Sequence, residues 1–203
     1  RIHFEDGLIV SAEIKKGTQT LAHTRYRNGV LVQKEYDYDG DGFFEVLEQY
    51  DKQGNLEKIS VDVDKNKLFE YYEVYKTDGT VIKNWDENED GTPEIQYTQF
   101  PSGNAQTVWK HRYSGLPVSV YYKDGAPERL TIGRTNVPLI KDPSYNIYWL
   151  ERRPSFSDKV AEKLTEVFAD DASDVEAQTV LVGNYELYAV RSGGNIFVQL
   201  FTT

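Results

Sequence analysis

The stretch Leu68-Phe69-Glu70-Tyr71-Tyr72-Glu73-Val74-Tyr75, running on to Asp78-Gly79 and then Val81-Ile82, decides the fold. Its aromatic and β-branched residues are poor helix formers and suit a half-buried strand. Gly79 supplies the positive φ of a tight turn, and Asp78 before it suits the same turn. Val81-Ile82 then opens an apolar return strand, so the whole segment reads as one hairpin.

The unit recurs. An aromatic residue precedes a glycine by three or four positions at Phe4 and Gly7, Tyr26 and Gly29, Tyr50 and Gly54, Tyr75 and Gly79, Phe100 and Gly103, and Tyr122 and Gly125. These glycines are 22, 25, 25, 24 and 22 residues apart, the mark of a repeat array. Two strands of roughly eight residues and two turns fill such a period. The expected fold is mainly β: repeated antiparallel hairpins forming an extended β-meander over residues 1–132. A helical alternative exists, since Phe44, Leu47 and Tyr50 also fit i, i+3 and i+6, and an EF-hand places a helix after its loop. Gly54 leaves that helix only about ten residues, and the aromatic density of 68–75 favours strands.

The pattern changes after Ile132. Residues 157–168 place Val160, Leu164, Val167 and Phe168 on one face of an amphipathic helix, with Ser157 as candidate N-cap and Asp158 favouring the N-terminal dipole. Strands are expected at 179–182, 185–191 and 195–201, the last two joined through Ser192-Gly193-Gly194. Residues 133–203 therefore read as a small α+β C-terminal domain or cap, entered through Pro138, Pro143 and Pro154.

The chemistry-bearing signal is an acidic loop written three times: Asp37-Tyr38-Asp39-Gly40-Asp41-Gly42-Phe43-Phe44-Glu45, Asp62-Val63-Asp64-Lys65-Asn66-Lys67-Leu68-Phe69-Glu70 and Asp86-Glu87-Asn88-Glu89-Asp90-Gly91-Thr92-Pro93-Glu94. Their first aspartates lie 25 and 24 residues apart. Side-chain oxygens at positions one, three, five and nine, with glycine at six in two copies, are what a calcium loop needs. In the first loop Asp37, Asp39 and Asp41 offer carboxylates, Phe43 its carbonyl, Glu45 the ninth position and Glu48 the twelfth. Calcium is expected at 37–48. The 62–73 loop (Asp62, Asp64, Asn66, Glu70) and the 86–94 loop (Asp86, Asn88, Asp90, Thr92, Glu94) are further candidates. Lys67 stands where the second loop needs a left-handed residue. The alternative is a set of solvated Asp-Gly turns.

Acidic loop, aromatic strand, Tyr-x-x-x-Gly turn and apolar strand in succession resemble bacterial extracytoplasmic β-hairpin repeat proteins, the MORN-variant and tyrosine/aspartate-like repeats that carry D-x-D-x-D-G loops. The loop itself is similar to those of dockerins and thrombospondin type-3 repeats. The likeness covers residues 4–132. It implies Ca2+ in the loops and an extracytoplasmic location, whether periplasmic, surface-anchored or secreted. The segments Lys15-Lys16-Gly17 and Tyr113-Ser114-Gly115 occupy loop positions without acidic ligands, so the outer repeats are expected to be metal-free.

Composition narrows the function further. The 203-residue chain has net charge −10, and residues 35–94 hold eighteen Asp/Glu against six Lys/Arg. A field of that sign repels nucleic-acid phosphates and attracts cations, so a nucleic-acid partner is not expected. No apolar run is long enough to span a bilayer. The absence of Cys excludes disulfides and thiolate metal sites. A start at Arg1 and the lack of Met suggest a mature or trimmed piece, from which a signal peptide or lipid anchor could have been removed.

His3, His23 and His111 are dispersed, and no G-x-S-x-G elbow, P-loop or Rossmann fingerprint occurs. No catalytic residue is assigned. Trp85, Trp109 and Trp149 with fifteen Tyr read as sheet packing more readily than as an exposed binding face. The function expected is a non-enzymatic, calcium-stabilised binding or scaffold module of the cell envelope or secreted space, with a protein or carbohydrate partner. A glycan-directed hydrolase and a cytoplasmic antitoxin-like repeat protein are the alternatives.

Overall fold

A computed structural model describes residues 1–150, 152–169 and 175–202; of the expected C-terminal region, Glu151, residues 170–174 and Thr203 lie outside the described residues. Thirteen strands stand side by side in chain order in one antiparallel sheet. They are β1 (Ile2–Glu5), β2 (Leu8–Lys16), β3 (Gln19–Arg27), β4 (Val30–Tyr36), β5 (Val46–Tyr50), β6 (Leu56–Val61), β7 (Tyr71–Tyr75), β8 (Val81–Trp85), β9 (Ile95–Gln99), β10 (Ala105–Lys110), β11 (Pro117–Lys123), β12 (Ala126–Ile132) and β13 (Thr135–Val137). A five-stranded sheet follows, built from β14 (Ile140–Lys141), β15 (Ile147–Trp149), β16 (Val175–Val182), β17 (Tyr185–Ser192) and β18 (Asn195–Thr202), with one helix, α1 (Ser157–Val167). The protein is therefore a mainly β meander with a smaller sheet and a helix near its C-terminus. The segments that follow the acidic loops are β5, β7 and β9, which removes the EF-hand helix.

The chain forms two compact units, Arg1–Pro101 and Ser102–Thr203. The first has almost no apolar interior. Among its hydrophobic residues only Ala22 and Ile95 are buried, whereas Thr24, Asp37, Glu45, Ser60, Asp62, Thr80, Asn84 and Asp86 are all buried polar groups. Strands β4–β9 are half-buried on both faces. Cohesion there comes from rows of side chains running across the strands. One row, in register, is Tyr36, Val46, Val61, Tyr71, Trp85 and Ile95. The next row on the same face is Lys34, Glu48, Ile59, Glu73, Lys83 and Tyr97. Each such cross-strand pair contributes roughly 0.2–1 kcal/mol, so a long row replaces a core by accumulation.

Tyrosine hydroxyls tie these rows together. Tyr36 donates to Glu48 Oε2 at 3.1 Å and Tyr50 donates to the same oxygen. Tyr71 donates to Glu73 Oε1 and Tyr75 to Oε2 at 2.5 Å, with Lys83 Nζ 3.7 Å from Oε1. Burial alone would raise the Glu73 carboxyl, but the two hydroxyls and the Lys83 charge outweigh it and hold the group below the usual carboxylate range. Tyr75 is pushed up to about 12, mainly by burial and then by its bond to Glu73. A carboxyl depressed in the fold stabilises above its unfolded pKa of about 4.3, and that contribution is lost as pH falls through the folded value. The urea midpoint of the wild-type chain is therefore expected to drop on acidification below about pH 4. Glu73→Gln is expected to flatten that slope. An acid slope unchanged in the variant would remove Glu73 from the account.

The second unit is a conventional core. The helix covers one face of the five-stranded sheet through Val160, Ala161, Leu164 and Phe168, packed on Ile147, Trp149, Val180, Leu187, Ala189 and Val198. The other face meets β10–β12: Phe197 lies 5.8 Å from the Trp109 ring and 6.3 Å from the Tyr122 ring, and Thr107 Oγ1 is 2.6 Å from Ser192 Oγ. The alternation of side chains along β17 and β18 serves both faces. Helix α1 begins one residue earlier than capping chemistry suggests. Phe156 is the N-cap without a side-chain bond, and the expected cap Ser157 is a buried residue of the first turn. Ser157 is thus buried inside the first turn instead of capping it. Gly193-Gly194, both at positive φ, make the tight β17–β18 turn, where a Cβ on Gly193 would meet the Tyr122 ring at 3.3 Å.

Candidate metal centre

The three acidic loops join β4 to β5, β6 to β7 and β8 to β9, and all three use one hydrogen-bonded scaffold. The position-one aspartate accepts the N–H of position six through Oδ2: Asp37 from Gly42 at 3.0 Å, Asp62 from Lys67 at 2.7 Å, Asp86 from Gly91 at 2.9 Å. The position-three side chain accepts from position five, Asp39 from Asp41, Asp64 from Asn66 and Asn88 from Asp90. Position five accepts from position seven, so Asp41, Asn66 and Asp90 receive the N–H groups of Phe43, Leu68 and Thr92. The ninth-position glutamate closes the ring on the position-two N–H: Glu45 on Tyr38 at 3.0 Å, Glu70 on Val63 at 2.8 Å, Glu94 on Glu87 at 2.8 Å. Asx turns of this kind are why Asp and Asn recur at these positions. Lys67 adopts φ 76° to keep the scaffold where its neighbours use glycine.

The scaffold brings carboxylates together. Asp37, Asp39, Asp41 and Glu45 each place an oxygen within 4.8 Å of the others, and Asp62, Asp64 and Glu70 do the same. These are groups that can hold a metal ion. The third-loop carboxylates Asp86, Asp90 and Glu94 are not gathered in this way; there Asn88 Nδ2 donates to Glu94 Oε1 at 2.5 Å. Glu48 stands apart from the first group, on the sheet face between the Tyr36 and Tyr50 hydroxyls. Phe43 and Thr92 take part through their N–H groups.

One residue that sequence reading had assigned no role completes the first loop. Lys65, at position four of the second loop and at φ 66°, sends its ammonium to Asp39 Oδ2 at 2.5 Å, Asp41 Oδ2 at 2.6 Å and Glu45 Oε1 at 3.2 Å. Its bonds to Asp39 and Asp41 raise the Lys65 pKa, and the same ammonium is the leading cause that lowers Asp41. The second and third loops are linked likewise: Asn66 Nδ2 donates to both oxygens of Glu89, the position-four residue of the third loop, at 2.7 and 2.9 Å. Position four of the first loop is Gly40, whose carbonyl accepts from Gln19 Nε2. Beside the first loop lies a groove of about 610 Å3, lined by Val46, Ile59, Val61, Tyr38 and Tyr71 and by charged side chains, among them Asp39, Glu45, Glu73 and Lys65.

No protein-family model matches the chain. A protein of Treponema pallidum (strain Nichols), described as uncharacterized, is 34% identical to it over 200 residues, which is 98% of this chain. The chain spans a quarter of that relative's length, 25%.

Proposed function

We propose that Arg1–Pro101 is a calcium-stabilised, non-enzymatic binding or scaffold module that works outside the cytoplasm. One observation carries the reading: three carboxylates of the first loop converge on a single cationic point, the Lys65 ammonium. Oxygen donors alone, gathered in a flexible turn, match the coordination habits of calcium better than those of magnesium, which demands a tight octahedron. The unit's poverty in buried apolar side chains gives the ion a purpose. Binding stabilises by mass action, about 2.7 kcal/mol at a hundredfold excess over Kd. Extracytoplasmic calcium is plentiful enough to fill weak sites, which supports a periplasmic, surface-anchored or secreted location. The groove beside the first loop, lined by apolar, aromatic and acidic side chains together, suits a protein or carbohydrate partner.

Calorimetry of the chain with calcium, with magnesium and with chelator tests the proposal. Calcium is expected to raise Tm by several degrees, magnesium by less, and chelator to reverse the gain. Equal melting in all three conditions overturns it.

A further inference from the structure

The three loops share a scaffold but differ in what neutralises them. The first draws the Lys65 ammonium from the loop that follows it. The second has Lys65 and Lys67 in its own sequence and receives Glu89 from the third. The third has Asp86, Glu87, Glu89, Asp90 and Glu94, with no Lys or Arg between 86 and 94. It is also the last acidic loop of Arg1–Pro101, so no following loop of this kind reaches back to it.

A second, independent observation singles out the same loop. Asp86 is only 3% exposed, and its Oδ1 is buried without any hydrogen-bond donor. In the other loops the equivalent oxygen accepts the position-four N–H: Asp37 Oδ1 from Gly40 at 2.6 Å, Asp62 Oδ1 from Lys65 at 2.7 Å. In the third loop that N–H, of Glu89, turns to the Asp86 carbonyl at 3.2 Å instead. A buried carboxylate oxygen without a donor is strongly unfavourable, and a cation relieves it.

We infer that the third loop takes the first divalent cation, through Asp86 Oδ1 with Asn88, Asp90 and Glu94, whereas the first loop takes one only by displacing its tethered cation, Lys65. This ordering rests on the calcium reading above and adds a regulation to it. Lys65 acts as an internal competitor that keeps the first loop folded while calcium is scarce. The third loop has no such substitute and depends on the ion. The first-loop carboxylates are already gathered, but around an ammonium; Asp90 and Glu94 of the third loop close on the ion as it enters.

Calcium titration of the whole chain, followed through the amide resonances of Gly91 and Gly42, tests this. Gly91 is expected to respond at lower calcium than Gly42. Lys65→Gln is expected to lower the Gly42 midpoint about fivefold, the worth of a partly exposed ion pair, and to leave that of Gly91 unchanged. Asp86→Asn is expected to abolish the early Gly91 response. The order seen in the wild-type chain decides the matter even if that variant folds poorly. Saturation of Gly42 before Gly91, or a Gly42 midpoint unmoved by Lys65→Gln, overturns the inference while leaving calcium binding intact. If neither amide responds in the folded chain, it is the calcium reading that fails.

Discussion

Asp62→Ala is expected to cost about 3 kcal/mol of stability and to release the second loop and the ends of β6 and β7 with it. Asp62 is 1% exposed and accepts three backbone N–H groups, from Lys65 at 2.7 Å, Asn66 at 3.2 Å and Lys67 at 2.7 Å. Bonds to a charged acceptor are worth about 1.5–3 kcal/mol each, but water reaching an opened turn recovers part of the sum. Removal of the carboxylate also takes away the reason for Lys67 to hold φ 76°. Asp62→Asn keeps one acceptor and turns an amide N–H toward a backbone N–H, so an intermediate loss is expected. Urea unfolding gives the size, and amide exchange at Lys65, Asn66 and Lys67 gives the place. A loss below about 1 kcal/mol, within the range of an ordinary surface change, would mean the loop is held by something other than this side chain.

The hairpin repeat was legible because its signals are local. Asp6-Gly7, Asn28-Gly29 and Asp124-Gly125 adopt paired positive φ values in the structure, as such dipeptides do in two-residue hairpin turns. The strand character of β7 follows from Tyr71, Tyr72, Val74 and Tyr75. What lay between repeats was not legible. Lys65 meets Asp39 across 26 residues of chain, and nothing in either loop alone announces the contact. The signal that could have found it is the position-four comparison, Gly40, Lys65 and Glu89, all at positive φ and stacked by the 24–25-residue period. The twelfth-position reading of Glu48 borrowed from a helical loop, where the chain turns a distant carboxylate back toward the ion. In a strand the same residue projects from the sheet face, and Tyr36 and Tyr50 receive it there. Ser157 looked like a cap because local preference is all a sequence window holds; its burial in the folded unit is a tertiary fact.

Leu164→Ala is expected to cost as much as Asp62→Ala, again about 3 kcal/mol, by the opposite physics. Leu164 is fully buried among Trp149, Leu187 and Val198, so the change leaves a cavity that close-packed neighbours fill only in part. Amide exchange in β16, β17 and β18 is expected to report the loss. Salt separates the two mechanisms. At about 1 M ionic strength the Debye length shrinks to roughly 3 Å, weakening the contacts of exposed Asp39 and Asp41 with Lys65 while a methyl-lined cavity is indifferent to it. Added salt is therefore expected to speed exchange at the loop amides of the wild-type chain and to leave the Leu164→Ala penalty in β16–β18 unchanged. A Leu164→Ala penalty that varied with salt as the loops do would show that the two units are not held by the different forces their interiors imply: carboxylates at turns in one, interlocked apolar side chains in the other.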